Sequence, residues 1–89
     1  MSIWAVKFDE RSAKELRKLD RKVQTLILRY LSERITTSED PRRFGKALSH
    51  DKTGLWRYRV GDYRIVCEIR DGELLVLVIA VGHRREVYE

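Results

Sequence analysis

With 89 residues the chain has room for one small domain, spanning 1–89. Its net charge of +5, from 19 Lys and Arg against 14 Asp and Glu, favours a polyanionic partner, either nucleic acid or an acidic protein. No apolar run is long enough to cross a bilayer, so no membrane partner is expected, and the lone Cys67 excludes an intramolecular disulfide. No metal-ligand cluster surrounds that cysteine, so neither a metal nor another cofactor is expected, and the bacterial cytoplasm is the natural compartment.

Residues 3–8, IWAVKF, read as a first strand. Asp9 caps a helix with Glu10 in its first turn and a narrow apolar stripe of Ala13, Leu16 and Leu19. Asp20 is a second N-cap. The helix after it carries Val23, Leu26, Ile27, Tyr30 and Leu31 at amphipathic spacing and ends near Ile35. The short link between the two predicts a helical hairpin. Residues 36–54 form the one long irregular segment, with Pro41, Arg42 and Arg43; Phe44 and Leu48 are its candidate anchors, and His50 reads as a surface residue. Strands follow at 55–60, 63–70 and 73–82, joined by two-residue turns at Gly61-Asp62 and Asp71-Gly72. The expected fold is α+β in the order β-α-α-β-β-β, a helical hairpin packed on one face of a mainly antiparallel four-stranded sheet.

The segment GLWRYRVGDYR is the most informative. Alternation places Trp56, Tyr58 and Val60 on one face and Arg57 and Arg59 on the other. With Val60 and Tyr63 flanking the turn, Arg59 lies directly opposite Arg64. Like charges so placed repel, which points to an anion held between them. Carrying the register through the second turn puts Arg64 opposite Ile79 and Tyr63 opposite Ala80. The terminal GHRREVYE then leaves the sheet beside the arginines, gathering Arg57, Arg59, Arg64, His83, Arg84, Arg85 and Tyr88 at one end. Trp56, Tyr58, Tyr63, Ile65, Cys67 and Ile69 form the core face, where Cys67 is a structural thiol. Arg70 taken alone is a solvated charge.

Guanidinium groups with a tyrosine and a histidine suit RNA cleavage by the RNA's own 2′-hydroxyl. The substrate brings the nucleophile, and the protein brings charge stabilisation and proton transfer. Arginine matches phosphate oxygens and keeps its charge; Tyr88 and His83 are the candidates for moving protons.

The segments GLWRYRVGDYRI and VGHRREVY, within a layout that extends over essentially the whole chain, resemble the RelE branch of the RelE/ParE toxin superfamily of bacterial type II toxin–antitoxin systems. The resemblance implies a metal-independent mRNA endonuclease that works in the ribosomal A site. It also implies a cognate acidic antitoxin that wraps the toxin in a hetero-oligomeric complex. The family's phosphate-contacting arginines fall on Arg64 and Arg84, its terminal tyrosine on Tyr88 and one of its strand lysines on Arg57. A histidine of related toxins lies near His83. Arg59 and Arg85, with Arg57, are expected on RNA backbone. The alternative is a ParE-like inhibitor of DNA gyrase without nuclease activity.

Overall fold

A computed structural model describes residues 2–48 and 54–83. The elements run β1 (Ala5–Phe8), α1 (Glu10–Arg17), α2 (Arg21–Tyr30), β2 (Lys46–Ala47), β3 (Leu55–Val60), β4 (Tyr63–Arg70) and β5 (Leu75–His83). The sheet order is β1-β5-β4-β3-β2, with β1 parallel to β5 and every other pair antiparallel. The α+β class and the helical hairpin are as expected. The sheet has five strands rather than four, because part of the segment read as irregular pairs with β3.

Asp9 caps α1 as predicted: its Oδ1 accepts from the Ser12 amide at 2.8 Å. Asp20 precedes α2 without a side-chain cap bond. The second helix ends at Ile35 as expected, but its last turn, Leu31–Ile35, is π-helical. The first strand is shorter than predicted. Trp4 lies before it, buried in the core, with its amide donating to Thr37 O at 2.9 Å.

Leu16, Ile27, Leu31 and Ile35 of the helical layer meet Tyr58, Ile65, Cys67, Val76, Val78 and Val81 of the sheet to form the core. Alternation along β3 and β4 produces this face and leaves the opposite one for charge. Beyond Phe8, β5 has no strand neighbour on the β1 side, and α1 takes over. The Asp9 amide (3.1 Å) and Ser12 Oγ (2.7 Å) donate to Val78 O, and Glu15 Oε1 accepts from the Val81 amide at 2.8 Å. Asp9, Ser12 and Glu15 thus satisfy a sheet edge that would otherwise hold unpaired backbone groups.

The loop between α2 and β3 is tied down from several sides. Pro41 starts a 3-10 turn capped by Asp40, and Tyr58 donates its hydroxyl to Pro41 O at 2.7 Å. Trp56 Nε1 donates to Phe44 O at 2.6 Å, and the Phe44 ring packs edge-on to Tyr30. Phe44 is the anchor that the sequence suggested; Leu48 lies outside the core cluster and contributes an amide bond to Leu55 O at 3.4 Å. Arg42 makes a bidentate pair with Asp71 (3.1 and 2.7 Å), tying the loop to the turn before β5.

The first hairpin has the predicted register, Val60 opposite Tyr63 and Arg59 opposite Arg64. The second differs. Asp71–Glu73 forms a 3-10 turn, Leu74 takes a left-handed conformation, and Arg70 faces Leu75 rather than Glu73. A bulge between Val66 and Cys67 then adds one more residue of β5, Ile79, which falls between the partners of these two. As a result Arg64 lies opposite Gly82, not Ile79, and Tyr63 opposite His83, not Ala80.

Two predictions follow from these contacts. Gly45 has φ +77°, and a Cβ there would come within 2.2 Å of Arg57 O, whereas Gly61, at φ +60°, has open space around it. Gly45→Ala should therefore cost about 2–4 kcal/mol and Gly61→Ala about 1 kcal/mol, read from denaturant midpoints. Equal costs would mean that Gly45 is not held against β3. The Arg42 guanidinium keeps Asp71 below the usual carboxylate range. The folded pKa is the lower one, so the stabilisation is complete above the ordinary Asp pKa and is lost as pH falls through the depressed value. Asp71→Asn should remove that part of the acid-side slope in a pH series of melts.

Candidate functional site

On the face away from the helices, Lys46, Arg57, Arg59 and Arg64 line a cleft of about 190 Å³ together with Gly45. Three strands supply them. Lys46 of β2 is paired with Arg57 of β3, and two residues further on Arg59 is paired with Arg64 of β4. Among the described residues no carboxylate lines the cleft. Arg59 Nε donates to Gly61 O at 3.3 Å, a bond that consumes little of its hydrogen-bonding capacity.

Arg64 is only 9% exposed, and its Nε and Nη1 are buried without a hydrogen-bond partner. Buried polar atoms are nearly always paired, and an uncompensated buried charge is strongly destabilising. Other arginines of the described residues illustrate the contrast: Arg11 pairs with Glu15, Arg42 with Asp71, and Arg70 with Glu68. Arg70 is thus a paired surface charge, in keeping with its reading from sequence. Val66 and Ala80, both buried, form an apolar floor beside Arg57 and Arg64, and the row of Arg64 ends at Gly82, which adds no side chain. The arrangement offers a fixed guanidinium with two unmet donors, flanked by three further cations. It is suited to a phosphate or another multi-oxygen anion.

The expected residues divide into three groups. Arg57, Arg59 and Arg64 converge in the cleft. His83 is opposite Tyr63 and its ring meets the Tyr63 ring edge-on at 5.7 Å, which places it on the Tyr63 side of the strand end rather than over the arginines. Arg84, Arg85 and Tyr88, like His50, lie outside the described residues. Lys46 was missed, because its two-residue strand leaves no periodic trace; the Gly45 immediately before it was the available signal. Burial pushes the Cys67 thiol and the Tyr58 phenol up, so both stay protonated and serve the core. Among the described residues no group of three or more His, Cys, Asp and Glu side chains is placed to hold a metal ion.

The profile of ParE toxins of type II toxin–antitoxin systems (parDE) matches residues 6–88. The chain belongs to this toxin family. Within the wider RelE/ParE superfamily, the toxin is 32% identical over 77 residues to toxin RelE of Mycobacterium tuberculosis, covering 86% of this chain and 77% of that one. It is 27% identical over 85 residues to toxin RelG of the same organism, covering 96% and 95%. Its fold matches a chain of the M. tuberculosis toxin–antitoxin complex RelBE2 with a TM-score of 0.82, at 26% identity and 97% coverage of each chain. The toxin therefore shares its architecture with RelE-type toxins, as its hairpin and terminal motifs indicated.

The buried guanidinium carries a prediction for this toxin. Inorganic phosphate should raise its melting temperature beyond what sodium chloride does at equal ionic strength, through selective binding to the folded state. Arg64→Met should abolish the phosphate increment while leaving the phosphate-free melt unchanged or raised, since it removes an unpaired buried charge. A variant that melts lower and keeps the phosphate increment would show that Arg64 is a structural residue.

Proposed function

We propose that this toxin cleaves mRNA on the ribosome, using the cleft as the seat of the scissile phosphate. The observation that supports this most is Arg64, a buried guanidinium with two unpartnered donors in a cleft whose described charged lining is all cationic. A phosphate group meets that unfilled demand, and RNA supplies both the phosphate and the nucleophile.

In the proposed reaction the 2′-oxygen attacks the adjacent phosphorus, forming the 2′-O–P bond as the P–O5′ bond breaks. A base takes the proton of the 2′-hydroxyl, and an acid delivers one to the departing 5′-oxygen. The products are a 2′,3′-cyclic phosphate and a 5′-hydroxyl end. Arg64, with Arg59, stabilises the charge that builds on the non-bridging oxygens, and Arg57 holds the RNA backbone beside them. β5 ends at His83, so the chain enters Arg84, Arg85 and Tyr88 from the end of the sheet that carries Arg64. Arg84 is assigned a second phosphate contact, Arg85 an RNA-backbone contact and Tyr88 the proton transfer. His83, in ring contact with Tyr63, is assigned to holding the strand end and to assisting Tyr88 from there. No step calls for a metal ion.

The RelBE2 toxin was solved with its antitoxin, and the net charge of +5 suits an acidic partner, so a cognate antitoxin in a hetero-oligomeric complex is proposed for this toxin as well. The ParE name of the family keeps gyrase inhibition as the competing reading.

Primer extension on mRNA in a translating extract separates the two. Codon-phased cuts that need ribosomes are expected. Arg64→Ala should slow cutting by about 10²–10³-fold, the effect of losing one oxyanion donor. Tyr88→Phe should slow it while leaving phosphate-induced stabilisation intact. DNA damage without RNA cuts would replace the nuclease reading with the gyrase one.

A further inference from the structure

We propose that the cleft has two phosphate subsites, one strand repeat apart, and that Lys46 belongs to the second. Arg59 and Arg64 hold the phosphate that reacts, in line with the function proposed above, on which this assignment rests. Lys46 and Arg57 hold the next phosphate of the same RNA strand.

The register defines the two sites. Lys46 and Arg57 are Cα partners across β2 and β3, and Arg59 and Arg64 are Cα partners across β3 and β4. Arg57 and Arg59 are two residues apart on one strand, so their side chains leave the same face about 6.6–6.8 Å apart along it. That separation is close to the spacing of successive phosphates in a single strand drawn out of its stack. Two stacked pairs of cations with this separation fit a short, extended piece of backbone better than they fit one isolated anion.

On the Leu55 side the cationic surface ends after these two rows. The next row along the face pairs Leu55 with Glu68 and Leu77. Glu68 brings a carboxylate that is engaged with Arg70, and it opposes a third phosphate. Val66 and Ala80 continue the row of Lys46 and Arg57 as an apolar floor beside the charges.

Lys46 is placed by backbone, not by a side-chain partner. Gly45 brings the chain against Arg57 O, and the Trp56 bond to Phe44 O holds the approach. Among the described residues its ammonium forms no ion pair, which leaves its charge to a ligand. This is the contribution of β2, a strand too short to add much to the sheet itself.

The test measures binding without cleavage. The probe is a 2′-O-methyl RNA trinucleotide, which has two linkages and lacks the reacting hydroxyl. It is compared with two versions in which one linkage or the other is a neutral methylphosphonate. Neutralising either linkage should weaken binding to the wild-type toxin by about 5-fold, the size of one partly exposed charge contact. Lys46→Gln should weaken binding of the parent probe to a similar degree. It should then be indifferent to neutralising one particular linkage while still responding to the other. Lys46→Arg should behave as wild type, and Lys22→Gln on α2 should change nothing. Equal sensitivity of Lys46→Gln to both linkages, or a wild-type toxin that ignores either linkage, overturns the assignment. A toxin that cuts ribosome-bound mRNA but shows no linkage effect loses only the two-site assignment. One that shows the linkage effect but cuts nothing loses only the nuclease reading.

Discussion

The two-residue alternation of β3 and β4 is the constraint on which the rest of this structure depends. Tyr58, Ile65 and Cys67 are completely buried on the helix side. A slip of one residue in the pairing would move all of them to the outer face and drive Arg57, Arg59 and Arg64 into the core. The apolar face therefore enforces the opposition of Arg59 and Arg64, although the two arginines repel each other. The tight turn at Gly61-Asp62 leaves no slack through which that repulsion could be relieved. The fold stabilises an unfavourable charge arrangement by making every alternative register worse.

The far side of the site depends on α1. Asp9, Ser12 and Glu15 follow one another at three-residue spacing and bond to two backbone groups of β5 where β1 has ended, the first two to Val78 O and the third to the Val81 amide. A helix can satisfy only scattered groups of a strand edge, and the bulge at Val66/Cys67 lies at the transition, where Val78 O turns to the helix. The bulge changes the parity of the remaining strand. Val81 enters the core, Gly82 comes beside Arg64, and His83 meets Tyr63. With Gly82 in that row, the Cα partner of Arg64 on β5 adds no side chain.

These features explain how much of the molecule could be read from its sequence. The helices, the first hairpin and the Arg59/Arg64 pair were legible because each rests on local pattern: a capping aspartate, amphipathic spacing, a two-residue glycine turn. The second hairpin was not. Asp71-Gly72 has the composition of a tight turn, but the loop runs on through a 3-10 turn to Leu74 in the left-handed region, a conformation that a leucine does not announce. That error alone moves the register by two residues and leaves the faces correct. The bulge adds an odd step, and it is the odd step that carries His83 away from the arginines. A bulge specified by bonds to α1 is tertiary information. So is β2, whose two residues form a strand only because Gly45 lets the chain approach β3.

Net charge gave the sign of the partner but not its location. The carboxylates supply the location through the cations they neutralise. Glu15 takes Arg11, Asp40 and Asp71 take Arg42, and Glu68 takes Arg70, all at the helical edge, the loop or the far end of the sheet. Among the described residues the lining of one cleft has no acid, and it includes a guanidinium that is both buried and short of partners. Exposed arginines without a carboxylate cost little in water, so their number says little about function. A buried one is different, because desolvation makes its unmet donors expensive until an anion arrives. The excess positive charge of the chain is thus turned into binding at one place, centred on Arg64, which the same strand alternation that builds the core sets on the opposite face.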